Sequence, residues 1–271
     1  MLVEGLRFFI TGAGAGIGAG CARVAAREGA SVTIADMAED AGEALAEQIR
    51  AGGGRALFVK CDVAEHDQLQ QAIERSATEF SGLDVLVNNA GIFDNRVHPQ
   101  PSIETMNASH FRRMLEVNLI SHWVAAKYAL PHLRRSNNAS IINAGSVAAY
   151  VAYPGGTLYG ATKGGVAQLT KHLAVELAPD RIRVNCYCPG SIRTEAAELY
   201  VKQIGEEAFM RTNTGANLVP RIGDPEDIGN LVTFLASDRA SFINGAVYLC
   251  DAGALAWRGT LDSIGMEPEK L

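Results

Sequence analysis

Short apolar runs alternate with longer amphipathic stretches along the chain. The runs are LRFFIT (6–11), SVTIAD (31–36), ALFVKCD (56–62), LDVLVNN (83–89), ASIINAGS (139–146), IRVNCYCPG (182–190) and AVYLCD (246–251). Their length and continuous apolar character predict strands buried on both faces. The stretches between them carry helical periodicity. AEDAGEALAEQIRAGG closes on glycines that stop a helix. GDPEDIGNLVTFLAS opens with Asp224 as a cap and Pro225 at the first helical position.

Strand and helix alternate about seven times, which implies right-handed βαβ units. The expected fold is α/β: a doubly wound parallel seven-stranded sheet of the Rossmann type, with helices on both faces, in a single domain over residues 1–271. No linker, repeat or low-complexity segment breaks the pattern. Such sheets bind ligands at the carboxyl ends of their strands, so chemistry is expected just after each one.

Composition narrows the function. A net charge of −6 with no basic run argues against a nucleic-acid partner. The opening MLVEGLRFFITGAGAG holds an apolar run too short for a signal or a membrane span, so no membrane is expected and the chain reads as cytoplasmic. Cys21, Cys61, Cys186, Cys188 and Cys250 form no disulfide framework, and no second Cys/His pair beside Cys186 and Cys188 completes a zinc site. Buried reduced thiols and no metal are expected. The 28 glycines point to tight turns and close backbone approaches.

Two stretches carry candidate chemistry. ITGAGAGIGAG follows the first strand and opens the first helix, placing Gly12, Gly16 and Gly18 where a backbone can approach a pyrophosphate at a helix N-terminus. Small residues there also permit plain helix–strand packing. Asp36 ends the second strand, where a carboxylate either accepts from a ribose or caps the next helix. SVAAYVAYPGGTLYGATK holds Tyr150, Tyr153 and Tyr159, of which only Tyr159 has a lysine, Lys163, one helical turn on.

Together with DV (62–63), NNAG (88–91), Asn118 in EVNLISH, Ser146 and PGSIRT (189–194), these motifs stand in the order of the short-chain dehydrogenase/reductase family. The chain resembles that family, in its compact single-domain form, from about residue 3 to residue 253. The resemblance implies an NAD-dependent oxidoreductase acting on a secondary alcohol or its ketone. Tyr159 is then the general acid/base. Lys163 supplies an ammonium that favours phenolate and holds the nicotinamide ribose. Ser146 holds the substrate oxygen, and Asn118 positions a water in a relay to Lys163. Cofactor contacts fall to Gly12, Gly16, Ile17, Gly18, Asp36, Asp62, Val63, Asn89, Ala90, Gly91, Tyr159, Lys163, Pro189, Gly190, Ile192 and Thr194, with Asn88 beside them. Asn88 is equally a tie between strands, and Asp62 equally a turn cap. One departure stands out: Gly145 replaces the second serine that often precedes the catalytic one, and is expected to leave backbone room beside Ser146.

Asp36 favours NAD over NADP, because Ala13, Gly14, Ala15, Met37 and Ala38 offer no cation for a 2′-phosphate. The substrate is expected against 92–102, 147–158 and 195–215. The apolar, aromatic second segment suits a hydrophobic or cyclic secondary alcohol, with Packing for Tyr150 and a pocket wall for Tyr153. Arg96, His98, Arg193 and Arg211 could instead read a carboxylate. A lid is expected at about 191–215, a C-terminal tail at about 254–271, and a homotetramer built through helices at about 108–134 and 158–178. Two other readings of the same motifs are an epimerase or dehydratase with bound NAD, and a non-catalytic dinucleotide sensor. The retained Tyr159 and Lys163 argue against the sensor.

Overall fold

Seven strands form where the apolar runs predict them: β1 (Arg7–Thr11), β2 (Ser31–Asp36), β3 (Arg55–Lys60), β4 (Val85–Asn88), β5 (Ser140–Ala144), β6 (Arg183–Pro189) and β7 (Val247–Cys250). The computed structural model describes residues 1–209 and 217–257. All neighbouring strands pair in parallel, in the order β3-β2-β1-β4-β5-β6-β7. The order reverses between β1 and β4, which opens a crevice at their carboxyl ends.

Strand alternation separates two cores. Phe8, Ile10, Val32 and Ile34 face α1 (Gly16–Arg27), α2 (Glu39–Ala51) and the helix over Pro225–Ala236. Phe9, Leu86 and Ile141 face the other way, onto α3 (His66–Glu79), α5 (Ser121–Leu133) and α6 (Thr157–Glu176). The central strands β4 and β5 are buried throughout. The edge strands β3 and β7 are not, contrary to the sequence expectation, because each lacks a neighbour and full cover on one side. Leu249 is accordingly 45% exposed.

The helix expected over 108–134 is interrupted. α4 (Ala108–Leu115) passes into a π-helical turn at Glu116–Ile120 before α5 resumes. Asn118 sits in that wide turn, a type of irregularity frequent at functional sites. Past β6, α7 covers Glu195–Ile204, and the Pro225–Ala236 helix, α8, closes the described helices. The expected lid is described only through residue 209. Arg211 and the expected tail beyond residue 257 lie outside the described residues.

One ion pair fixes the amino ends of β1 and β4. Arg7 Nε meets Asp84 Oδ2 at 2.6 Å and Nη2 meets Oδ1 at 2.7 Å, while Ser136 Oγ donates to the same carboxylate. Burial alone raises the Asp84 carboxyl, but the bonds from Arg7 and Ser136 outweigh it and hold the group below its ordinary value. A carboxylate depressed in the folded state contributes stability above its unfolded pKa of about 4, and that stability is lost as pH falls through the folded value. Asp84→Asn should therefore cost about 3 kcal/mol at neutral pH, the order expected for breaking a buried pair. Thermal unfolding should show that deficit shrinking in acid below about pH 4. A variant as stable as the wild type at neutral pH would contradict this role.

Candidate active site

The carboxyl ends of β1 to β6 carry most of the predicted residues, while Asn118, Tyr159 and Lys163 stand on helical segments. Gly12 and Gly16 take φ of +62° and +53°, open to glycine and strained for other residues. A Cβ at Gly12 would stand 2.8 Å from Ala90 Cα, and one at Gly18 would stand 2.2 Å from Gly12 O. The loop is pinned by Asn89, whose Nδ2 donates to Thr11 O at 3.0 Å and Gly12 O at 2.9 Å. Asn89 Oδ1 in turn accepts from the buried Tyr187 hydroxyl at 2.9 Å. The amides of Asn89 and Ala90 donate to Thr11 Oγ1. Ile17 is half-buried, its side chain packed against the core shared by β1, β2 and α1.

Helix α1 starts at Gly16 with no side-chain cap and no acidic residue in its first turn. Such an end attracts anions. Glu195, at the start of α7, reaches it: its Oε2 accepts from Gly16 N–H at 2.9 Å. The motif reading did not single out Glu195, because nothing local in the sequence links residue 195 to residue 16. Thr194 caps α7 through Oγ1, and its methyl lies 3.3 Å from where a Gly16 Cβ would stand.

Asp36 holds two backbone amides. Its Oδ1 accepts from Ala38 N–H at 2.9 Å, at the entry to α2, and its Oδ2 accepts from Gly14 N–H at 2.8 Å in the glycine loop. Lys60, its register partner on β3, directs its ammonium to Glu39 at 2.9 Å. Asp62 caps a turn through Ala64 N–H and meets Arg113 at 3.3 Å. Val63 is buried. Asn88 ties elements together, donating to His122 O and Asn143 Oδ1. Gly190 N–H donates to Cys250 O beyond Pro189, and Ile192 bridges to Gly223.

Tyr159 and Lys163 sit one turn apart on α6 and are 8% and 3% exposed. Lys163 Nζ lies 5.5 Å from the Tyr159 ring centroid and donates to Ala144 O at 2.7 Å. Ser146 lies beside the Tyr159 phenol, and its Oγ accepts from Ala148 N–H at 3.1 Å. Burial pushes the phenol above its ordinary value, and the Ser146 hydroxyl beside it acts against that rise. Burial pulls the Lys163 ammonium down to about 8. His122, also buried beside Lys163, is pulled down to about 3 by burial first and the Lys163 charge second, so it is neutral.

Asn118 clamps the backbone beside this group. Its Oδ1 accepts from Ile92 N–H at 2.8 Å, while Nδ2 donates to Ile92 O at 2.9 Å and Thr162 Oγ1 at 3.1 Å. A Cβ at Gly91 would stand 3.4 Å from Lys163 Nζ and 3.5 Å from Asn118 Oδ1. Gly91, Asn118 and Lys163 therefore converge, with the Asn118 amide already engaged.

Aromatic residues wall the opening. Phe93 stacks on Tyr159 with centroids 4.5 Å apart and planes at 28°, and is half exposed. Tyr153 lays its ring over Gly156, where a Cβ would come within 2.6 Å of it. Burial raises its phenol to about 12. Tyr150 is 53% exposed rather than packed as expected, since the turn after β5 points it outward. Arg193 is not available to read a carboxylate, because Glu198 and Glu206 take its guanidinium.

Gly145 leaves no spare room. A Cβ there would meet Cys188 Sγ at 2.5 Å and Cys186 Sγ at 2.8 Å, and the two sulfurs lie 4.0 Å apart. The thiols of CYC fill the space that the sequence reading assigned to the missing serine.

A family profile described as enoyl-(acyl carrier protein) reductase matches residues 12–254. The chain is 37% identical over 248 residues to a cis-4-hydroxycyclohexanecarboxylate dehydrogenase of Sinomonas cyclohexanicum, covering 91% of this chain and 95% of that protein. It is 39% identical over 248 residues to an L-fucose dehydrogenase of Oryctolagus cuniculus, covering 90% and 83%. The crystal structure of a dehydrogenase/reductase from Sinorhizobium meliloti 1021 superposes with a TM-score of 0.83 at 34% identity, covering 93% and 95%. The chain belongs to the short-chain dehydrogenase/reductase family.

The sulfur packing gives a direct test. Gly145→Ser should lose roughly 1–3 kcal/mol in thermal unfolding, the scale of overpacking. Cys188→Ala in the same chain should recover much of it. A Gly145→Ser protein of native stability would show that the thiols do not occupy that space.

Proposed function

We propose that this short-chain dehydrogenase/reductase is an NAD-dependent oxidoreductase that moves a hydride between nicotinamide and a secondary alcohol or its ketone. The observation that carries the reading is the buried Tyr159 phenol, with Ser146 beside it and Lys163 one turn on. The crevice fits a dinucleotide: positive-φ glycines, an uncapped helix start and the Asp36 carboxylate share one strand-end edge. Gly12, Gly16, Ile17 and Gly18 would hold the pyrophosphate, Asp36 the adenosine ribose, and Asp62, Val63, Asn89, Ala90 and Gly91 the adenosine side. Pro189, Gly190, Ile192 and Thr194 would face the carboxamide, and Lys163 the second ribose.

When bound, nicotinamide supplies the hydride acceptor or donor. Ser146 donates a hydrogen bond to the substrate oxygen and holds it beside Tyr159. In oxidation Tyr159 takes the hydroxyl proton; in reduction it returns one. A phenol with an ordinary pKa of about 10 is a poor base at neutral pH, and burial here makes it poorer. The Lys163 ammonium opposes that rise, as does the positive charge of an oxidised cofactor. With its own value near 8, Lys163 is mostly charged at neutral pH. Asn118 holds Ile92 and Thr162 in register beside Lys163, and a relay water at Lys163 belongs to the same reading.

Asp36 supports NAD. At an effective dielectric of about 20, two unit charges roughly 4 Å apart repel by about 4 kcal/mol, before screening. Even a third of that is about tenfold in affinity. Lys60, bound to Glu39, does not turn toward Asp36 to relieve it. The substrate class follows from Phe93 and Tyr153 at the mouth, and from relatives named for hydroxycyclohexanecarboxylate and fucose. A hydrophobic or cyclic secondary alcohol, or its ketone, fits both. Glu195 must leave Gly16 for a pyrophosphate to take that amide, which gives the described start of the expected lid, residues 191–209, a closing part. A homotetramer through α4–α5 and α6 would cover the exposed Ile120, Trp123 and Val175.

Tyr159→Phe should lose at least about 10²-fold in turnover while binding NAD almost normally by calorimetry. Lys163→Ala should lose turnover and also weaken NAD. Near-native turnover in Tyr159→Phe would refute the assignment. The kcat/KM ratio of NAD to NADP should be tens-fold or more, on the repulsion just given. Asp36→Ala with Met37→Arg should move it toward NADP. Parity of the two cofactors in the wild type would remove Asp36 from the ribose.

A further inference from the structure

The helix that carries Tyr159 and Lys163 has no cap of its own. Gly156 precedes Thr157 and offers no side chain, and the first turn holds no acidic residue. Unpaired N–H groups at a buried helix start need acceptors. They find one far away in sequence. Asp94 Oδ1 accepts from Leu158 N–H at 3.0 Å, and Asp94 Oδ2 accepts from Tyr159 N–H at 3.0 Å.

Asp94 is 3% exposed. It opens the short turn Asp94–Arg96 that follows β4, and that turn is closed by bonds from Val97 and His98 to Asp94 O. The residue before it, Phe93, stacks on the Tyr159 ring. Two adjacent residues thus hold Tyr159 at both its backbone and its ring. No ion pair to Asp94 exists among the described residues. Its carboxylate is met instead by the N–H groups and the positive end of the helix dipole.

We propose that Asp94 is the positioning residue for Tyr159: it caps the catalytic helix across the strand crevice and sets where the phenol stands relative to Ser146. The proposal rests on the reading of Tyr159 as the acid/base. It assigns Asp94 no contact with substrate.

The same molecule shows which substitution separates the cap from the charge. Asn107 caps α4 with a single oxygen that accepts from both Ser109 N–H and His110 N–H. Asp94→Asn can cap α6 in that way without a negative charge, whereas Asp94→Ala removes cap and charge together. The phenol of Tyr159 is faced by Ser146 and Tyr153 from the segment after β5, by Tyr187 and Cys188 from β6, by Asp94, and by Lys163 on its own helix. The Asp94 charge is among those that disfavour phenolate, behind burial.

The test measures kcat and KM against pH for wild type, Asp94→Ala, Asp94→Asn and Tyr159→Phe, using NAD and 4-hydroxycyclohexanecarboxylate. Amide hydrogen exchange of the peptide spanning Leu158 and Tyr159 runs in parallel. Asp94→Ala should lose about tenfold or more in kcat with KM changed less than about threefold, and should exchange faster at the start of α6. Asp94→Asn should recover most of kcat, with the acid limb of its profile moved to lower pH. Native kcat in a folded Asp94→Ala protein would overturn the proposal, as would an Asp94→Asn protein that neither recovers kcat nor shifts its acid limb. If Asp94→Ala does not fold, Asp94→Asn decides alone: an unshifted acid limb overturns the proposal. Tyr159→Phe with native turnover would instead sink the reading of Tyr159, which keeps the two failures distinct.

Discussion

The proposed site depends on one constraint: the phenol to which the proton exchange is assigned is buried, and burial favours its neutral form. Tyr159 is 8% exposed, and Lys163, the cation nearest it in the site, is itself pulled toward neutrality by burial. The neighbouring groups oppose this. Ser146 stands beside the phenol and favours its ionised form, Ala144 O accepts from the ammonium, and Asp94 meets the helix amides beneath both. Ala144 and Ser146 come from the end of β5 just before α6, whereas Asp94 comes from the turn after β4. The parallel sheet gathers them by ending β4 and β5 at the same edge.

That edge is held from several sides. Asn89 pins the glycine loop of β1 to the end of β4 and is itself fixed by Tyr187 from β6. Asn118, freed from regular helical geometry by the π turn, locks Ile92 to Thr162 on α6. The buried amides of Asn88 and Asn118 and the half-buried amide of Asn89 therefore fasten strand ends to the loops, strands and helices around them. Fully partnered polar networks of this kind rigidify a site, while a half-partnered one would cost stability. Beneath Ser146 the constraint is steric, since Cys186 and Cys188 occupy the volume that any side chain at position 145 would need.

Much of this was legible from residue pattern. Apolar runs with helical stretches between them specify a parallel sheet, and motifs at strand ends specify its crevice. What escaped the reading is what depends on distance in the chain. Asp94 is 65 residues from Tyr159, and only the fold shows that it caps α6. Glu195 is 179 residues from Gly16, and its contact with the glycine loop has no local signal. The π turn was hidden because EVNLI is helix-compatible in any register. Gly145 was visible as a departure, but its cause lay on β6. The edge strands β3 and β7 were misjudged as doubly buried because an apolar run does not announce whether it has two neighbours.

The central claim concerns the ionisation of one buried phenol. It is tested most directly by following phenolate absorbance against pH in the wild type and in Tyr159→Phe, each with and without saturating NAD. The difference between the two proteins reports Tyr159 alone. The expected result is a phenol that titrates above its ordinary value without cofactor and falls toward neutral pH when NAD is bound. A difference titration that stays in the same range in both conditions would contradict Tyr159 as the base.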